Sequence, residues 1–241
     1  MKGVILAGGN GIRLYPLTFA TNKHLLPVFD QPMVFYPIQT LLKTGIKDIM
    51  IIASGDKAGH FIGVLKNGKE YGIRHLEYGF QEGAGGISQA LAIAEDFADS
   101  EPIVAILGDN TTDADITPAV KKFKDGATIF VKKVPDPERF GVPVFSKDGK
   151  TITKIEEKPK NPKSDFAVVG VYIYDAHCFE YIRTLKPSAR GELEITDLNN
   201  IYLEKGKLKW EELKGFWNDA GTFESLLKSN LYWARKKGIK V

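Results

Sequence analysis

The first half of the chain alternates short apolar runs with helical stretches, and this alternation constrains the fold more than any other feature. Val4–Ala7, Asp48–Ala53, Ile73–Gly79 and Pro102–Leu107 read as strands. Pro32–Lys43, Ala58–Lys66 and Ser88–Phe97 read as helices between them, the first closed by Gly45. Strands alternating with helices indicate parallel βαβ units in an open α/β sheet. The strand runs do not alternate apolar with polar residues, as expected when both faces are covered. After about residue 125 the texture changes. Thr128–Val134, Val142–Phe145, Ile152–Glu156 and Phe166–Tyr174 read as strands with few helices between them. Helices return at His177–Leu185, Glu194–Glu204 and Phe223–Lys236. No repeat or low-complexity linker interrupts the pattern, so one continuous domain over residues 1–241 is expected, with halves at 1–125 and 126–241.

The chain holds 24 glycines in 241 residues with no three-residue period, which excludes collagen and points to tight turns or close backbone approach to a ligand. With 33 basic and 30 acidic residues interleaved, and no basic block longer than Arg235-Lys236-Lys237, a nucleic-acid partner is not expected. Cys178 is the single cysteine and reads as a buried structural thiol. One cysteine, an opening apolar run too short for a signal peptide and no stretch near ~18 apolar residues lead us to expect a cytoplasmic protein without membrane association.

A glycine-rich segment, Gly8-Gly9-Asn10-Gly11, follows the first strand, at the sheet edge where ligands bind in such folds. Two familiar phosphate motifs are absent. The dinucleotide pattern fails because Leu14 stands where its third Gly is needed, and no G-x-x-x-x-G-K-[ST] occurs. Arg13 and Lys23 lie close enough in sequence to hold a polyphosphate as a fork and a point charge. The same residues also suit a glycine turn beside a solvated Arg. Gly108-Asp109-Asn110 follows the fourth strand, and Asp109 fits either a Mg²⁺ ligand or a turn cap. A second carboxylate, Asp219, strengthens the metal reading, whereas Asp113 and Asp115 read as a solvated loop or helix start. No G-x-S-x-G or H-E-x-x-H motif is present, so no nucleophilic Ser or zinc helix is expected.

Six segments in order carry a family resemblance. LAGGNGIRLYPLT at 6–18 and NKHLLPVFDQPM at 22–33 come first. LGDN at 107–110, EEKP at 156–159, RGELEITD at 190–197 and WNDAGT at 217–222 follow. Together they resemble the sugar-1-phosphate nucleotidyltransferases, and LLPVFDQPM and RGELEITD are most similar to the glucose-1-phosphate thymidylyltransferases. The resemblance implies the nucleotide-diphospho-sugar transferase fold, a Rossmann-like, open, mixed and mostly parallel sheet with helices on both faces. It also implies nucleotidyl transfer from dTTP to glucose 1-phosphate, giving dTDP-glucose and pyrophosphate. On that basis the first half binds nucleotide and the second half sugar phosphate.

The resemblance further implies that Arg13, Lys23 and Lys158 are catalytic. Leu6, Gly8, Gly9, Gly11, Gln81, Gly86 and Asp109 would hold the nucleotide. Gly141, Glu157, Lys158, Val169, Tyr172 and Arg190 would hold the sugar phosphate, and Asp109 with Asp219 would bind Mg²⁺. Glu156 suits a surface Lys, and Glu192 and Asp197 suit capping or ion pairing. The chain departs from the family at Ala84-Gly85-Gly86 (commonly Pro-Asp-Gly), His24 (commonly Gln), Ile12 (commonly Thr) and Pro143. The first three departures keep UTP open as the nucleotide. ATP, an amino-sugar phosphate, a non-catalytic regulatory protein and a nicotinamide enzyme are further alternatives. A homo-oligomer is compatible with the sequence. Because WNDAGT is followed by little more than one helix, a separate regulatory nucleotide site is not expected.

Overall fold

The computed structural model describes residues 1–240. A seven-stranded sheet carries the fold. Its order is Leu208–Glu212, Ala127–Lys133, Phe166–Tyr174, Ile103–Leu107, Lys2–Ala7, Asp48–Ser54, His75–Gln81. Lys2–Ala7, Asp48–Ser54 and His75–Gln81 run parallel in sequence-ordered pairs. Leu208–Glu212 is parallel to Ala127–Lys133, and Phe166–Tyr174 is antiparallel to it. The sheet is therefore the mixed, mostly parallel, Rossmann-like one expected. Val4–Ala7 and Ile49–Ala53 are buried throughout, which explains their unbroken apolar runs. No helix among the described residues is long and apolar enough to cross a membrane.

By contact density the chain divides into two compact units, each discontinuous in sequence. The first, here the glycine-loop unit, comprises Gly3–Ala84, Ile106–Asp115 and the segment from Lys214 onward. The second comprises Met1–Lys2, Gly85–Ala105 and Ile116–Leu213.

In the glycine-loop unit, Gly45 ends the helix Phe35–Lys43 with φ +91° and donates its N–H to Leu42 O at 3.0 Å. The helix Phe223–Lys236 begins with a reciprocal Thr222–Ser225 cap. Leu226 from this helix packs with Leu14, Met33 and Tyr36, and Trp233 leans on the same cluster. A short antiparallel ribbon pairs Asn110–Thr112 with Trp217–Asp219. In the second unit, the hairpin Gly141–Phe145/Ile152–Glu157 sits against the helix Ile195–Glu204. Asn200 fixes that contact by accepting from Ile155 N at 3.0 Å and donating to Ile155 O at 2.9 Å.

Most strands and helices read from the sequence are present, with shifted ends. The expected helix Pro32–Lys43 starts at Phe35, because Gln31–Pro32 pairs as a minimal strand with Pro27–Val28. The expected helix Ser88–Phe97 is two pieces, Ile87–Ala92 and Glu95–Ala98, and nothing in the sequence marks the break. Leu208–Glu212 was not expected as a strand. Its half-exposed LKWEE sequence suits a sheet edge and carries little periodic signal. Asp113 departs from the solvated loop expected of it. Its carboxylate accepts from Phe216 N at 2.7 Å, from the Tyr232 hydroxyl and from Lys236 Nζ.

Burial works to raise the Asp113 pKa, but these donors outweigh it and hold the carboxyl below its ordinary value of 3.8. A lowered folded-state pKa means the stabilisation is complete above that value and is lost as pH falls below it. Asp113→Ala should therefore destabilise the protein by about 1–3 kcal/mol at pH 7, the range for leaving polar partners unmatched. The difference from wild type should shrink as denaturation midpoints are measured towards pH 3; a difference constant with pH would contradict this role.

Candidate active site

In the glycine-loop unit the carboxyl ends of the first three parallel strands present the expected loop. Gly9 has φ +94° and donates its N–H to Ser54 Oγ at 2.8 Å. A Cβ on Gly8 would lie 3.0 Å from Gln81 Oε1 and 3.3 Å from Ser54 Oγ, so a glycine lets Gln81 and Ser54 close on the loop. Ser54 and Gln81 are themselves register partners at the ends of their strands. Leu6 is buried one residue before the turn and accepts from Gly108 N at 2.9 Å, which seats the Asp109 segment beside the loop.

Two carboxylates meet next to this loop. The ribbon pairs Asn110 with Asp219, and Ala220 N donates to Asp109 O at 2.9 Å. Lys23 Nζ reaches Asp109 Oδ2 at 2.5 Å, with side-chain exposures of 13% and 11%. Those exposures leave the pair reachable by a ligand yet mostly out of bulk water. Asn110 Nδ2 donates to Asp109 Oδ1 at 3.0 Å and accepts at Oδ1 from Trp217 Nε1 at 2.6 Å. Gly221 N donates to Asp219 Oδ1 at 2.9 Å. A Cβ on Gly221 would lie 2.9 Å from Arg13 Nη2 and 2.8 Å from Asp219 Oδ1, which brings Arg13 to the same carboxylate.

The electrostatics divide the two acids. Burial works to raise the Asp109 pKa, but the Lys23 ammonium and hydrogen bonds from Lys23 and Asn110 hold it well below the carboxylate range. Asp219 moves the other way. Burial and the neighbouring Asp109 charge raise its pKa, and Lys23 and Arg13 only partly offset them. His24 is pushed down to about 3 by burial and by Lys23, so it is neutral at pH 7. Asn22 accepts from His24 N at 3.0 Å and caps the turn that carries Lys23.

The second unit holds a separate set of charges. Thr196 Oγ1 donates to Glu157 Oε2 at 2.5 Å. Arg190 Nη2 reaches Glu157 Oε1 at 3.2 Å, Glu192 Oε2 at 3.3 Å and Glu194 Oε2 at 2.8 Å. Ser188 Oγ completes the shell of Glu194 at 2.7 Å. Burial opposes the Arg190 charge, but these carboxylates outweigh it and raise the pKa. Lys158 Nζ lies 3.6 Å from Glu157 Oε1, and its backbone has φ +42°. Gly141 pairs with Glu157, and a Cβ there would meet Thr196 Oγ1 at 2.9 Å. Gly86, with φ +98°, packs on the Leu193 backbone of the same unit. Val169 and Tyr172 are buried on Phe166–Tyr174, where its pairing shifts register between Val168 and Tyr172.

The expected residues thus fall into two constellations. Leu6, Gly8, Gly9, Gly11, Arg13, Lys23, Gln81, Asp109 and Asp219 belong to the glycine-loop unit. Gly86, Gly141, Glu157, Lys158, Val169, Tyr172 and Arg190 belong to the second. Glu156 pairs with Lys154 and Lys163 at 3.5 and 3.4 Å, as its surface reading implied. Sequence reasoning did not single out Ser54, Asn22, Glu194 or Thr196. Glu194 looks like its acidic neighbours Glu192 and Asp197 until its 5% exposure is known.

A model of the family described as nucleotidyl transferase matches residues 2–236. The glucose-1-phosphate thymidylyltransferase of Neisseria meningitidis is 46% identical over 232 residues, spanning 94% of this chain and 80% of the relative. The protein of the same name from Mycolicibacterium smegmatis is 43% identical over 249 residues, spanning 100% and 86%. A solved Bacillus anthracis structure, provisionally described as a glucose-1-phosphate thymidylyltransferase in complex with sucrose, has a TM-score of 0.91 at 50% identity. It covers 96% of this chain and 94% of its own. A UDP-glucose pyrophosphorylase complexed with UDP-glucose has a TM-score of 0.82 at 22% identity, covers 98% of each chain, and shares the fold.

The Lys23–Asp109 pair makes a direct electrostatic prediction. In Lys23→Ala the opposing cation is lost while burial stays, so the Asp109 pKa should move from below to above its ordinary 3.8. Carboxyl-carbon NMR titration of labelled protein would read this; an Asp109 that still titrates below the ordinary value would contradict it.

Proposed function

Because the chain belongs to the nucleotidyl transferase family, we propose that it transfers a nucleotidyl group from dTTP to glucose 1-phosphate, releasing pyrophosphate and forming dTDP-glucose. The observation that carries this reading is the half-dry cluster of Arg13, Lys23, Asp109 and Asp219 beside a glycine loop. It supplies two cations and two hard oxygen ligands where a triphosphate needs both. The names of the relatives supply the choice of dTTP and glucose 1-phosphate.

In this reading the phosphate oxygen of glucose 1-phosphate forms a bond to the α-phosphorus of dTTP. The bond from that phosphorus to the bridging oxygen breaks, and pyrophosphate leaves with the electron pair. No covalent intermediate on the protein is required. Arg13 and Lys23 hold the triphosphate and offset charge as two anions approach. The Gln81 amide offers one donor and one acceptor, which match O4 and N3–H of thymine. Glu157, held by Thr196, accepts from sugar hydroxyls, while Lys158 and Arg190 face the sugar phosphate. Gly141, Val169 and Tyr172 line the sugar, and Leu6, Gly8, Gly9, Gly11 and Gly86 give the nucleotide close backbone access.

Asp109 and Asp219 fit a divalent cation, which we take to be Mg²⁺. Burial and the neighbouring Asp109 charge together raise the pKa of Asp219, and a bound cation would offset both. Among the described residues no three His, Cys, Asp or Glu side chains form a full protein cage. Mg²⁺ suits such a pair because it keeps water and phosphate oxygens in its shell. When bound, it neutralises charge on the nucleotide phosphates.

UTP is the second reading. Uracil presents the same N3–H and O4 to Gln81, and Ala84-Gly85-Gly86 lacks the acid common in the family. The test is a panel of dTTP, UTP and ATP with glucose 1-phosphate and an amino-sugar phosphate, read by pyrophosphate release. The highest kcat/KM is expected for dTTP with glucose 1-phosphate. Binding without release would mark a regulatory protein instead. Asp109→Asn and Lys23→Ala should each lower turnover on the order of 10²–10³-fold, the scale for one preorganised charge contact. Near-normal turnover in either, at saturating substrate and metal, would refute the assignment.

A further inference from the structure

Segments 85–88 and 188–194 lie against each other in the second unit, although 106 residues separate Ser88 from Glu194. Two backbone hydrogen bonds join them. Leu193 N donates to Gly85 O at 2.8 Å, and Ser88 N donates to Leu193 O at 3.1 Å. Gly86 sits between these bonds, and a Cβ there would lie 2.6 and 2.7 Å from Leu193 O and N. The two backbones therefore touch with no room for a side chain. Ser88 adds a third bond. It is 0% exposed, and its Oγ donates to Glu194 O at 3.0 Å. A hydroxyl carries one proton, so this donation commits Ser88 to Glu194.

Glu194 is thus held at both ends. Ser88 holds its carbonyl, and its carboxylate accepts from Arg190 Nε at 3.2 Å and from Arg190 Nη2 at 2.8 Å. A planar fork gripped in this way has a fixed orientation. The turn that carries Arg190 closes on the same residues. Ser188 N donates to Glu192 O at 2.9 Å, and Ser188 Oγ donates to Glu194 Oε1 at 2.7 Å. A displacement of segment 85–88 therefore reaches Glu194 through the backbone bonds and Ser88, and reaches Arg190 through the buried carboxylate.

We infer that Ser88 is a positioning residue that couples the two substrates. A nucleotide seated on Gly86 holds segment 85–88 in place, and through Ser88 and Glu194 it holds Arg190 in the orientation that receives the sugar phosphate. The inference rests on the nucleotidyl-transfer reading above. Arg190 also faces Glu157 and Glu192, so a guanidinium able to turn gives its hydrogen bonds to carboxylates instead. Fixing it beforehand removes that ordering cost from sugar-phosphate binding. Linkage makes the effect mutual, so bound glucose 1-phosphate tightens the nucleotide by the same factor.

The test measures glucose 1-phosphate affinity by calorimetric titration with Mg²⁺, without and with a saturating α,β-methylene analogue of dTTP, which cannot release pyrophosphate. In wild type the analogue should tighten glucose 1-phosphate at least about fivefold, the lower end of typical coupling. Ser88→Ala removes one oxygen and keeps both backbone bonds. It should cut that factor to less than about twofold, while the affinity for the analogue alone changes by less than about twofold. Glu194→Gln should lose the coupling as well, which tests the connection without altering Ser88. In the double variant Ser88→Ala should cause no further loss. Coupling that persists in both single variants would overturn the inference, as would additive losses in the double variant. Weaker binding of both ligands at an unchanged coupling factor would reduce Ser88 to a structural role and overturn it too. Wild type that releases no pyrophosphate from any triphosphate would overturn the functional reading and this inference together. Normal wild-type turnover with undiminished coupling in Ser88→Ala would overturn this inference alone.

Discussion

Two like charges have to be held side by side out of water, and much of the glycine-loop unit is arranged around that requirement. The ribbon of Asn110–Thr112 and Trp217–Asp219 brings Asp109 and Asp219 together from distant parts of the chain. Left alone, burial would raise the pKa of both. Lys23 prevents this at Asp109 by direct contact, and Asn110 occupies the other oxygen. Asp219 receives weaker help from Arg13, Lys23 and the Gly221 N–H, and its pKa stays raised. The supports extend outward. Trp217 holds Asn110, Asn22 caps the Lys23 turn, and Asn218 bridges Ser225 O and Ser229 Oγ on the helix behind. Such networks stabilise when every member is satisfied and are costly when one is not.

The second unit solves a different problem. Arg190 lies among Glu157, Glu192 and Glu194, so its charge is already neutralised before any ligand arrives. That arrangement fixes the guanidinium and orients Glu157, which Thr196 holds from the other side. Fixed carboxylate acceptors suit sugar hydroxyls, where orientation matters more than net charge. In the proposed reading, a sugar phosphate at Arg190 would compete with Glu157 and Glu192 rather than with the more deeply buried Glu194.

The parallel strands were legible because burial on both faces leaves unbroken apolar runs, as in Val4–Ala7 and Ile103–Leu107. The glycine loop, Arg13, Lys23 and Asp109 stood out through residue type and position after a strand. The edge strand Leu208–Glu212 did not, since a half-exposed strand obeys neither period clearly. Asp113 was misread because its partners Tyr232 and Lys236 lie more than a hundred residues away. Ser54, Glu194 and Thr196 were also missed. Ser54 and Thr196 act on Gly9 and Glu157, and a hydrogen bond to a distant residue leaves no local pattern, whereas Glu194 lies only four residues from Arg190 and is set apart from its acidic neighbours by burial alone.

The most direct test of the two-carboxylate account is Mn²⁺ binding followed by electron paramagnetic resonance, with and without dTTP. One tight Mn²⁺ per chain should form with the nucleotide present, and it should be lost in both Asp109→Asn and Asp219→Asn. Mn²⁺ binding that survives either substitution would contradict the account.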